Sequence, residues 1–135
     1  MENKRITGVL VDVIHNTIEE ITIIDTLDNL YKILNCDTID IIKRSINGKL
    51  YHVVCDDNAL LKNPIPRIGL VNPTGDSKIY GNAFICGDVD CEGDLTSLNE
   101  DDIKSILRNA TVGTIKYKKD DKDEYINDVA VLVID

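Results

Sequence analysis

The chain has 135 residues, 43% of them hydrophobic and only 4% aromatic, with 24 acidic against 15 basic side chains and a formal net charge of −9. That length suits one domain around a single aliphatic core. The charge argues against a general DNA or RNA binder, which needs cations to neutralise phosphates, and against docking on anionic membrane; no apolar run is long enough to span a bilayer.

Residues 5–14 form a β-branched run broken only by Gly8 and Asp12, and a turn at His15-Asn16-Thr17 leads into a second run over 18–24, giving an N-terminal hairpin. Thr26 is placed to cap a short helix whose apolar face carries Leu27, Leu30, Ile33 and Leu34. Strands over 38–46 and 49–55 flank Asn47-Gly48. That dipeptide is a strong hairpin signal, because both central residues of a type I′ turn need positive φ. Residues 56–78 contain all three prolines and read mostly as loop, whereas 79–87 reads as one buried strand.

An acidic connector over 88–97 leads to Asn99, which starts a second helix. Asp102 follows three residues later as in a capping box, and Leu98 and Ile103 are spaced as a hydrophobic staple. Ile103, Ile106 and Leu107 form the expected buried stripe. Residues 111–118 and 129–134 read as final strands around a charged turn at 119–124. The predicted architecture is a single α+β domain over 1–135: a mostly antiparallel sheet with two short helices packed on it, plus a C-terminal hairpin over 111–135 able to join subunits.

No nucleophile elbow, Walker loop or dinucleotide fingerprint is present, so neither an enzyme nor a cofactor is expected. Asp88-Val89-Asp90-Cys91-Glu92-Gly93-Asp94 resembles the opening of a calcium loop but has Glu at its fifth position and Asn99 at its twelfth, so no metal is expected. Cys36, Cys55, Cys86 and Cys91 read as reduced thiols, and the charged start has no apolar stretch after it, so a cytoplasmic setting is expected. The polar loop offers the best binding chemistry. Arg67, Thr74 and Lys78 are candidates to hold phosphate, Tyr80 and Asn82 to read a base, and Arg108 to act at a subunit seam.

Asp56-Asp57-Asn58-Ala59-Leu60-Leu61, the following Asn63-Pro64, the Gly81-centred run over 79–85 and the helix start over 95–102 carry a further signal. From residue 6 to about 107 the chain resembles a family known as domain of unknown function 3846. The resemblance implies a small accessory protein of phages or mobile elements acting in the bacterial cytoplasm. The function expected from that context is sequestration of a nucleotide immune signal, a cyclic oligonucleotide or cyclic ADP-ribose derivative, by a homo-oligomer that does not cleave it. One alternative is an acidic DNA mimic, using clusters at 88–94, 100–102 and 120–124; another is a non-catalytic structural or regulatory partner protein.

Overall fold

The computed structural model of the chain describes residues 4–72 and 77–132, the stretches 111–119 and 123–132 through their backbone alone. β1 (Arg5–Asp12) and β2 (Thr17–Ile24) form the first hairpin, followed by α1 (Leu27–Leu34). β3 (Ile39–Ile46) and β4 (Lys49–Asp56) form the second, with Asn47 and Gly48 at φ 52° and 83°. β5 (Ile68–Val71), β6 (Lys78–Tyr80), β7 (Ala83–Cys86), α2 (Glu100–Arg108), β8 (Ala110–Lys119) and β9 (Lys122–Leu132) complete the chain.

Two sheets result. One has five strands in the order β2-β1-β7-β4-β3, all antiparallel; the other has the order β6-β5-β9-β8. The three middle strands of the larger sheet are covered on both faces over most of their length, and their covered stretches are mainly apolar. Strand alternation sorts their side chains. Val9, Val11, Val53, Ala83 and Ile85 point to one face, where Ile103 and Ile106 of α2 and Leu70 of β5 cover them. Ile6, Val54, Phe84 and Cys86 point to the other, under Leu30 and Leu34 of α1. Fully burying a side chain such as Phe84 contributes about 1.5–3 kcal/mol.

The helix ends follow local chemistry. Thr26 accepts from the Asn29 N–H at 3.3 Å, and Asn35 closes α1 in the left-handed region. Asn99 accepts from the Asp102 N–H at 2.8 Å. The Asp102 carboxylate in turn accepts from Lys49 Nζ at 2.8 Å and from the Tyr51 hydroxyl at 3.1 Å, tying α2 to β4.

Several expectations need correction. The stretch read as loop contains β5, a four-residue strand paired with β6 and, in parallel, with β9. The run read as one strand over 79–87 is two, β6 and β7, lying in different sheets. The chain changes sheet at Gly81, whose φ of +88° no strand residue adopts, and at Asn82, whose amide accepts from Val13 N–H and donates to the Ile33 carbonyl, both at 2.9 Å. Leu27 is 52% exposed and Leu107 36%, so each lies at the border of its helix's buried stripe rather than within it. The last turn is only Asp120-Asp121, because β8 and β9 pair up to Lys119↔Lys122. The hairpin is anchored within its own chain through Leu70↔Val131 and Val71↔Leu132 of β5 and β9.

Burial of polar hydrogens in this core has a pH consequence. Burial pushes the Cys55 thiol up to about 11 and the Cys86 thiol up to about 12, from an ordinary 9.0. Tyr51 is pushed up to about 12 from 10.0, by burial and by the Asp102 carboxylate. Between pH 9 and 12 the folded chain therefore keeps protons that the unfolded chain loses, and stability falls as pH rises through that window. Urea midpoints should be constant from pH 7 to 8.5 and decline progressively from pH 9 to 11. Cys86→Ala should flatten the decline; a midpoint unchanged at pH 11 would contradict the assignment.

Candidate functional site

A cleft of about 280 Å3 opens where β3 and β4 face β6. Alternation along β3 turns Asp40, Ile42 and Arg44 towards it. Cys55 and Ile79 belong to its floor, the turn over Asp57–Leu61 to its wall, and Lys78 and Tyr80 line it from β6. The cleft therefore joins two cations with carboxylates and one aromatic ring.

The Asp56-to-Leu61 motif builds the wall. Asp56 Oδ1 accepts from the Asn58 N–H at 2.9 Å, and Asn58 Nδ2 donates to the Thr38 hydroxyl at 2.8 Å. The Asp57 N–H donates to the Thr38 carbonyl, so the turn is clamped to the start of β3. Lys62 Nζ lies 2.8 Å from Asp56 Oδ2, an ionic approach poorly directed for a hydrogen bond, and donates to the Asn35 carbonyl at 2.7 Å. Ala59 is buried, whereas Leu60 and Leu61 stand at the rim, 61% and 81% exposed. The motif is thus a folded turn with an internal counter-ion, and two of its apolar residues face outward.

The residues singled out by sequence separate into groups. Lys78 and Tyr80 come together in the cleft. Arg67 does not line it; its guanidinium donates to the Val13 carbonyl at 2.7 Å, joining the approach to β5 to the end of β1. Asn82 is buried with both ends of its amide engaged, beside a smaller cavity of about 140 Å3 that shares only Asp56 with the cleft's lining. Arg108 donates to the Lys104 carbonyl on its own helix and lines neither cavity. Thr74 lies outside the described residues. Sequence reasoning left Asp40, Arg44 and Asp57 out of the site, although the period-2 pattern of β3 already places Asp40 and Arg44 on one face.

The acidic connector is organised by its own backbone. Asp90 Oδ1 accepts from the N–H groups of Glu92 and Asp94, and Lys4 pairs with Oδ2 at 3.5 Å. The Asp94 and Glu92 amides and the Lys4 charge hold the Asp90 carboxyl below its usual range. Among the described residues no group of three His, Cys, Asp or Glu side chains is arranged to hold a metal ion. No helix among them is long and apolar enough to cross a membrane.

Fold and site together define a two-sheet α+β domain with an open charged cleft. The family model described as "Domain of unknown function (DUF3846)" matches residues 6–111, well over half of the chain, and the protein belongs to that family. No curated protein and no solved structure matches it.

Proposed function

We propose that this protein is a non-catalytic binding module that holds a nucleotide in the cleft, of the kind used as a signal in bacterial defence, and sequesters it intact. The observation that carries this reading is the meeting of Arg44, Lys78 and Tyr80 with Asp40 and Asp57 in one concavity. A nucleotide has complementary chemistry at both ends. Its phosphate suits the guanidinium and ammonium, its base suits the tyrosine ring, and its ribose hydroxyls and exocyclic amine can donate to carboxylates. The cleft's volume is near the lower end of small-ligand sites, which suits one nucleotide unit per copy.

Three of the thiols are poorly set up as nucleophiles. Burial raises Cys36, Cys55 and Cys86 above the ordinary thiol value, away from the thiolate a nucleophile requires. The DNA-mimic reading has less support, because two of the acidic groups it needs are already engaged: Asp102 by Lys49 and Tyr51, Asp90 by Lys4 and its own loop.

Thermal shift against a panel of mononucleotides, cyclic oligonucleotides and ADP-ribose derivatives tests the reading. At least one should raise Tm and be recovered chemically unchanged after heating. Lys78→Glu should weaken that binding by roughly tenfold or more, since charge-assisted contacts contribute about 1.5–3 kcal/mol. Tyr80→Ala should weaken it as well. A flat response to the whole panel, or degraded ligand on release, would overturn it.

A further inference from the structure

We infer that two copies of this chain join edge to edge through β3, making one continuous sheet across a two-fold axis at Ile42. β3 ends the larger sheet, with β4 as its neighbour on one side and no strand on the other among the described residues. Its register with β4 pairs Asp40↔Cys55, Ile42↔Val53 and Arg44↔Tyr51, while the Ile41 N–H and the Lys43 carbonyl point away from β4. In the single chain, neighbouring side chains cover those outward groups. Asp40 Oδ1 accepts from Ile41 N–H at 2.9 Å, and the Arg44 guanidinium donates to the Lys43 carbonyl at 2.8 Å.

An antiparallel second β3 with Ile42 opposite Ile42 places Ile41 opposite Lys43 as a hydrogen-bonded pair, so the covered N–H and carbonyl become each other's partners. The same register sets Asp40 opposite Arg44 twice, once on each side of the axis, as non-hydrogen-bonded pairs whose side chains approach closely. The two side chains that cap the edge in one copy thus become the ion pairs of the seam in two. The symmetry is isologous, so one strand's sequence satisfies both sides. β2, the other edge of this sheet, lacks that complementarity: Glu19 and Glu20 lie at its centre, and pairing about its middle brings acid against acid. Asp40, Ile42 and Arg44 also line the cleft, so the seam runs along its rim and both clefts open on the same face of the joined sheet. The pairing stands on β3 alone; it engages Asp40 and Arg44 of the cleft's lining and leaves Lys78 and Tyr80 to a ligand.

Sedimentation equilibrium on the full chain tests this. The wild type is expected at twice the 15.1 kDa chain mass. Asp40→Arg and Arg44→Asp each put two like-charge contacts at the seam and should each raise the dimer Kd by at least about tenfold. Mixing the two variants joins opposite charges at both contacts and should restore a dimer between them. Ile41→Pro removes an outward N–H while leaving the β3–β4 pairing intact, and should also give monomer. Circular dichroism checks that each variant is folded. A monomeric wild type, a dimer indifferent to these substitutions, or a mixture that stays monomeric would overturn the proposal.

Discussion

Gly8→Ala is expected to be among the most damaging single-methyl changes in this protein. Gly8 lies in β1, opposite Ile21 of β2 and beneath the ring of Phe84. A Cβ there would stand 2.3 Å from the Ile85 carbonyl oxygen and 2.8 Å from Phe84 Cζ. The first obstacle is backbone of the adjoining strand β7, and the second is a fully buried ring in the α1-side core, so neither can give way cheaply. Relief would require β1 to separate from β7 at the centre of the sheet. Overpacking of this kind typically costs about 1–3 kcal/mol, and a clash with backbone belongs at or above the upper end. For a chain of this size that lowers Tm by roughly 10 °C. Urea denaturation of Gly8→Ala, Phe84→Leu and the double variant measures it. Shrinking the ring should recover part of the alanine penalty but not the part set by the Ile85 carbonyl, so the two substitutions should be non-additive. An alanine variant within about 0.5 kcal/mol of the parent would show that the close approach does not constrain the fold.

Local signals in the sequence were dependable where one residue type has one cheap solution. Asn47-Gly48 needs positive φ twice and makes the tight turn; Asn99 ends in the cap position because its side chain satisfies an orphan N–H of α2. The second sheet was not legible for a physical reason. β5 is four residues long, sits among prolines, and pairs on one side with β6 and on the other with β9, about sixty positions later, so half of its pairing is non-local. The change of sheet at Gly81 and Asn82 was hidden because the run from Ile79 to Cys86 is apolar on both sides of those two residues and most of it is buried. The site followed the same division. Lys78 and Tyr80 were visible as polar residues beside a loop, but Asp40 and Arg44 were left out because nothing local in β3 shows that β6 lies across from them. Arg67 and Asn82 carry polar groups suited to a ligand, and the fold uses them on Val13 and Ile33 instead.

Removing the Asp56 carboxylate should loosen the cleft wall as well as the core beside it. The Asp56 side chain is 2% exposed, so its charge is tolerated only because Asn58 N–H and Lys62 face it. Asp56→Ala leaves the Asn58 N–H without its acceptor and the Lys62 ammonium without its counter-ion. Breaking a fully buried pair costs about 3–5 kcal/mol. Lys62 is 38% exposed and can recover water, so about 2–3 kcal/mol is expected here. Asp56→Asn separates shape from charge. It keeps an oxygen for Asn58 and loses only the ionic attraction, so it should cost about half as much. Because the turn over Asp57–Leu61 hangs on this residue and on Thr38, amide hydrogen exchange at Asn58 should speed up sharply in the alanine variant and only slightly in the asparagine variant. The order alanine worse than asparagine is the decisive reading. Equal losses would mean that the charge, not the turn, holds the motif, and no loss in either would remove Asp56 from the architecture of the cleft.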